Sequence, residues 1–201
     1  THAGAYNPGS SGCIYIGFRS GYTSNGGFGN IFLGSYSGEK NTGDDNIGIG
    51  PQALRNSTGD FNVALGAFAM ETSISGSNNT AMGVAAMALD TSGNQNTAIG
   101  ASALHNSRNT SFNTVSGYQA MYNHKTGDGN TATGFAALIT DTSSAENTAM
   151  GYNVMRTHRR NGFNTAMGSH SLYADTIGTQ NVSVGYNAMR NYQGTNNTAL
   201  R

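Results

Sequence analysis

Asn79-Thr80-Ala81-Met82-Gly83, Asn96-Thr97-Ala98-Ile99-Gly100 and Asn147-Thr148-Ala149-Met150-Gly151 are one five-residue phrase written three times. Variants of it open at Asn30, Asn46, Asn62, Asn113, Asn130, Asn164, Asn181 and Asn197, and Cys13-Ile14-Tyr15-Ile16-Gly17 is the same phrase with cysteine in the first place. Successive openings are 17 residues apart, or 16 in the units that begin at Asn30, Asn46 and Asn181. A fixed short period over nearly a whole chain is the signature of a stacked repeat architecture, in which each unit buries its apolar points only against its neighbours.

Counting each unit from its asparagine, position two is always β-branched, from Ile14 and Ile31 through Thr97 to Val182 and Thr198. Position four is usually apolar (Ile16, Leu33, Ile99, Met150), with Ser116 and Thr133 as the exceptions. A two-residue period places positions two and four on one face of a short strand, and that face is expected to point inward. Position five is glycine in all but the last unit: Gly17, Gly34, Gly50, Gly66, Gly83, Gly100, Gly117, Gly134, Gly151, Gly168 and Gly185. That regularity suits a corner of positive φ or close backbone approach. Four residues later comes a second apolar point, such as Leu54, Met70, Met87, Leu104 or Leu172, preceded by a small residue. It is expected to face inward as well. The rest of each unit is polar and rich in turn formers.

These positions predict an all-β fold: a parallel β-solenoid of about twelve coils, one coil per 16–17-residue unit. Residues 1–201 form a single repeat domain, with a partial N-terminal coil at 1–12, eleven complete coils over 13–196 and a partial C-terminal coil at 197–201. The leading asparagines Asn30, Asn46, Asn62, Asn79, Asn96, Asn113, Asn130, Asn147, Asn164, Asn181 and Asn197 are expected to stand in one hydrogen-bonded column along the axis. At ~4.8 Å per rung the rod would be about 55–60 Å long.

Composition narrows the function. Charged residues make up 10% of the chain, ten basic against ten acidic, which leaves no long-range field for nucleic acid or an anionic membrane. No apolar run reaches the length of a membrane helix, so neither nucleic-acid binding nor membrane insertion is expected. Cys13, the sole cysteine, cannot form an intrachain disulfide. The histidines His2, His105, His124, His158 and His170 are read at differing repeat positions and make no metal spacing. Fragments such as Gly48-x-Gly50-x-x-Ala53 are products of the repeat and carry no dinucleotide meaning. No cofactor, metal or catalytic set is expected. Arg156, His158, Arg159 and Arg160 form a basic cluster, read as a solvated loop or, less favoured, as a glycan or phosphate contact. Phe18, Tyr118, Phe135, Tyr152, Tyr186, Tyr122 and Tyr173 are candidate surface aromatics for packing between chains or stacking on sugars.

The phrase Asn-Thr-Ala-x-Gly-x-x-Ala-Leu/Met resembles repeats of phage tail-fibre and related bacterial surface fibre proteins. It is also similar to the left-handed β-roll of trimeric autotransporter adhesin heads, which uses a shorter Ser-Val-Ala-Ile-Gly unit. The resemblance implies parallel β-coils, a homotrimer and a place on a virion or cell surface. The expected function is therefore structural: a fibre shaft or filament subunit whose partner is itself. Alternatives are an adhesin contacting surface glycans and, as a minor one, an ice-binding solenoid.

The two ends agree in phase. Thr1-His2-Ala3-Gly4-Ala5 aligns with Phe18-Arg19-Ser20-Gly21-Tyr22, while Asn197-Thr198-Ala199-Leu200-Arg201 opens a unit. This makes Thr1, His2, Ala3, Gly4, Leu200 and Arg201 candidate contacts of a head-to-tail filament; the other reading is a segment of a longer array.

Overall fold

A computed structural model describes residues 2–25 and 27–201. Thr1 therefore lies outside the described residues. Each repeat contributes one three-residue strand: β1 (Ile14–Ile16), β2 (Ile31–Leu33), β3 (Ile47–Ile49), β4 (Val63–Leu65), β5 (Thr80–Met82), β6 (Thr97–Ile99), β7 (Thr114–Ser116), β8 (Thr131–Thr133), β9 (Thr148–Met150), β10 (Thr165–Met167), β11 (Val182–Val184) and β12 (Thr198–Leu200). They form one sheet in sequential order, every neighbouring pair parallel. Like position pairs with like: Thr80 with Thr97, Ala81 with Ala98, Met82 with Ile99. The chain is a β-solenoid, one circuit per repeat.

The glycine at position five holds φ between 116° at Gly168 and 144° at Gly117. A Cβ on Gly34 would stand 2.6 Å from the carbonyl carbon and oxygen of Gly50 on the next rung, so both the torsion and the stacking need glycine here. Positions five to eight then close a β-turn, with Ala53 N–H donating to Gly50 O at 3.2 Å and Gln52, its third residue, at φ 60°. This is the type II pattern, and Pro51 occupies the second place that proline favours. Residues other than glycine occupy positive φ at position seven, as Ala85 does, and from the coil of β3 onward at position nine, as Met87 does. Lateral backbone bonds offset that strain: Met87 N–H reaches Ala103 O on one neighbouring coil at 3.0 Å, and Ala85 N–H reaches Ala67 O on the other at 2.9 Å.

The strand alternates in the opposite sense to the one expected. Position three is the buried one: Phe32, Ala64, Ala81, Ala98, Val115, Ala132, Ala149 and Ala166 have no solvent exposure. Positions two and four turn outward, leaving Ile16 59% and Ile99 42% exposed. The physical reason is width. A coil this short encloses a narrow interior that alanine fills from the strand, while the long side chain comes from across the coil. Leu54, Met70, Met87, Leu104, Met121, Leu138, Met155 and Leu172 supply it, all fully buried, each beside a small buried residue such as Ala53 or Ala103. The second apolar point therefore does face inward.

Candidate functional site

Polar side chains finish the interior, and the asparagines carry most of that work. Asn96 N–H donates to Asn79 Oδ1 at 2.9 Å, and Asn113 N–H to Asn96 Oδ1 at 3.0 Å. The same relation runs from Asn30 to Asn197, always between adjacent rungs. The Nδ2 group of each of several asparagines donates to a loop carbonyl on its neighbour, as Asn62 does to Gly76 O at 2.8 Å. Each buried amide thus satisfies a strand-entry N–H and ties the loop to the strand.

A second polar column was hidden among residues read as loop. Position twelve is fully buried on ten consecutive coils: Ser24, Asn41, Ser57, Ser73, Asp90, Ser107, His124, Asp141, His158 and Asp175. His124 and His158 share this position, which corrects the reading that the histidines are scattered. It also removes His158 from the basic cluster, because its ring points into the core beside exposed Arg159 and Arg160.

Ser107, His124 and Asp141 occupy successive rungs in the chemical order of a nucleophile triad, and their geometry does something else. His124 Nδ1 lies 3.0 Å from Asp141 Oδ2, but Nε2 lies 2.8 Å from Gly127 O instead of facing Ser107. Asp141 accepts further bonds from Ser143 N–H at 3.3 Å, Ser144 N–H at 3.1 Å and Ser144 Oγ–H at 2.6 Å. All three side chains of the series are sealed from solvent. The arrangement clasps one coil to the next and offers no face to a substrate. Asp90, lower in the column, is held differently: burial pushes its carboxyl up to about 6, against the N–H of Gly93 that donates to it at 3.1 Å.

The feature that faces outward is the sheet itself. Positions two and four of all twelve strands form two parallel columns along the rod. Ile14, Ile16, Ile49, Met82, Ile99, Met150, Met167, Val182 and Leu200 are exposed there, although stacking covers those on the inner strands from above and below. Only Ser116 and Thr133 interrupt the fourth-position column. Phe61, Phe112 and Phe163 stand exposed just before the leading asparagine, at one border of the face. Past the glycine corner, Tyr118, Phe135 and Tyr152 stack rung on rung at 5.4 and 5.2 Å with nearly parallel rings. Eleven intervals of ~4.8 Å and three residues of ~3.3 Å give the strand face alone roughly 500 Å². The flanking aromatics bring it toward the ~800 Å² that one partner contributes to a standard interface. Among the described residues no helix is long and apolar enough to cross a membrane.

The candidate end residues lie on the outermost coils, at opposite limits of the sheet order. Gly4 N–H donates to Ser20 O at 2.9 Å, and His2 stacks beside Tyr22 at 6.3 Å. Leu200 closes β12, and Arg201 N–H donates to Val184 O at 2.9 Å. No group of three or more His, Cys, Asp or Glu side chains converges as a metal set among the described residues. No protein-family model, curated protein or solved structure matches this chain.

Proposed function

We propose that this protein is the shaft of an extracellular or virion-surface fibre, formed by copies that pack along their length through the outer face of the sheet. The observation that carries this reading is the inversion of the strand: most of its isoleucine, leucine, valine and methionine side chains face outward, while its inward position is mostly alanine. An apolar strip on a rod, broken at β7 and β8 where Thr114, Ser116, Thr131 and Thr133 face outward, is an interaction surface by its size and its flatness. Parallel copies bury it uniformly because every rung presents the same two columns. A threefold arrangement is the one that the resemblance to fibre repeats favours. The hydrogen-bonded asparagine column suits a mechanical role, since it couples each coil to the next without a hinge.

Analytical ultracentrifugation tests this directly. The unaltered protein is expected to sediment as a discrete oligomer, a trimer by preference. The double variant Ile99→Lys/Met150→Lys, with charges on β6 and β9, is expected to be monomeric with an unchanged far-ultraviolet circular dichroism spectrum. A monomeric unaltered protein, or a charged variant that keeps its oligomeric state, would overturn the proposal.

One observation favours a second reading, ice binding. Thr80, Thr97, Thr114, Thr131, Thr148 and Thr165 form an outward column of six hydroxyls in strand register. Thermal hysteresis in the unaltered protein would support it, and its absence would leave the fibre reading alone.

A further inference from the structure

Away from the sheet face, a groove runs along the rod between positions eleven and thirteen of the coils. Two cavities, of about 710 and 380 Å³, line up end to end and share Asn123 and Lys125. Together they extend from Thr72, on the coil of β4, to Arg160, on the coil of β9. Asn106 and Asn123 stand on one wall; Arg108, Lys125 and Arg159 stand on the other, with Arg160 beside them. All four cations are exposed. Among the described residues the ion pairs involve Arg19, Arg55 and His124 alone, so these four have no carboxylate within 4.0 Å.

The cationic wall is fixed by the ladder. Lys125 N–H donates to Thr142 O at 3.1 Å, and Thr142 N–H to Arg159 O at 3.3 Å. Arg108 and Lys125 are thus one rung apart and Arg159 is two rungs further, which sets intervals of about 5 and 10 Å along the axis. On the opposite wall Asn106 Nδ2 donates to Asn123 Oδ1 at 3.1 Å and Asn106 Oδ1 meets His105 Nδ1 at 3.2 Å, which leaves the Asn123 Nδ2 group as the donor available to the groove. The floor is the buried position-twelve column. Its acids beneath this stretch, Asp90 and Asp141, turn into the core, and Asp141 is engaged by His124.

The geometry points to a binding site for a linear anionic polysaccharide, laid parallel to the rod with its acidic groups on Arg108, Lys125 and Arg159 and its hydroxyls on Asn123. A straight channel spanning six coils fits an extended chain better than a compact ligand. Spaced cations on one wall facing amides on the other match a polymer that carries both charge and hydroxyls. Duplex DNA carries a charge every ~1.7 Å, far denser than the wall supplies. None of these residues lies on a strand, so self-association through the sheet leaves the groove open.

Fluorescence anisotropy on the intact protein tests the site with four labelled probes: a sulfated heparin fragment, polygalacturonate, neutral dextran and single-stranded DNA. Both anionic glycans are expected to bind, and to weaken roughly tenfold or more between about 50 and 200 mM salt. Lys125→Gln/Arg159→Gln is expected to weaken them roughly tenfold, while Arg19→Gln/Arg190→Gln, at positions seven and ten of the coils of β1 and β11 and off the line of the groove, leaves them unchanged. Sedimentation of both variants, run alongside, keeps loss of this site distinct from loss of assembly. Equal binding of dextran, full affinity in the groove variant, or tighter binding of DNA than of either glycan would each overturn the proposal.

Discussion

The coils of β1 and β2 fill their core in the reverse manner to those of β4 to β6. In the first pair, position three is aromatic: Tyr15 stacks on Phe32 at 5.6 Å with an interplanar angle of 8°. Position nine, across the coil, is glycine at Gly21 and Gly38. In the second group position three is alanine (Ala64, Ala81, Ala98) and position nine is Met70, Met87 and Leu104. The coil of β3 is the joint, with Gly48 at position three, where a Cβ would lie 3.0 Å from the Phe32 ring, and Leu54 already at position nine. Side-chain volume has crossed the core while the cross-section stayed constant. The ladder fixes the backbone circuit, and the sequence is free only in how it divides a set volume between two facing columns.

The sharpest way to break that comparison is to put volume on both sides at once. A Cβ on Gly21 would lie 2.6 Å from the Tyr15 ring, and one on Gly38 would overlap the Phe32 ring. Gly38 has φ 58°, which Leu54 and Met70 also adopt nearby, so the obstacle to a side chain is the ring and not the torsion. Gly38→Leu is therefore expected to destabilise by about 3 kcal/mol or more, and Phe32→Ala by about 3–5 kcal/mol through the cavity it leaves. The double variant reproduces the arrangement of β4 to β6, and it should recover most of both losses in urea unfolding. Simple additivity of the two would show that the aromatic pair and the glycines are unrelated.

This exchange also marks what was legible in the sequence. The strands, their parallel order and the glycine corner follow from the spacing of Asn-Thr-Ala-x-Gly, because a period held to 16 or 17 residues leaves the chain one way to stack. The sense of the strand does not follow. Alternation says that positions two and four share a face, and hydropathy then assigns Ile and Met to the core over Ala. Only the coil width decides otherwise. A signal was present: Tyr15 and Phe32 are large where alanine is usual, and glycine stands at position nine of those same coils. The buried polar column was missed because Ser, Asp and His twelve residues into a unit look like ordinary turn formers. The 17-residue steps His124, Asp141, His158, Asp175 show it in retrospect. The outward apolar strip and the cationic groove depend on which side each column faces, which periodicity alone does not supply.

That polar column supplies the second difference between the regions. In the coils of β1 to β4 it holds Ser24, Asn41, Ser57 and Ser73, and its first carboxylate is Asp90, on the coil of β5. Burial raises the Asp90 carboxyl from 3.8 to about 6, so the folded state holds this proton more tightly than the unfolded one. Its contribution to stability is fully present below about 4, falls as pH rises toward about 6, and is lost above that. Asp90→Asn should flatten this part of the pH–stability profile and stabilise the protein at neutral pH, by up to about 3 kcal/mol. Urea titrations between these limits measure it. An unchanged slope would mean that Asp90 is solvated in the folded state.

The smallest expected effect concerns the first rung. Every later strand is entered from an asparagine, whose Oδ1 receives the N–H of the next asparagine in line. Cys13 holds that place before β1, and its thiol donates to Ser11 O at 3.5 Å and Gly27 O at 3.4 Å. It therefore gives the buried Asn30 N–H no oxygen. Cys13→Asn should extend the column by one member, with Oδ1 toward Asn30 and Nδ2 toward the carbonyl of Gly27, for a gain of about 1 kcal/mol. Amide hydrogen exchange at Asn30 and along β1 is the direct readout, since slower exchange there identifies the new bond and not a general stabilisation. If exchange at Asn30 were unaffected, the asparagine column would owe its cohesion to the backbone ladder beside it, and the aromatic coils would need no amide at their edge.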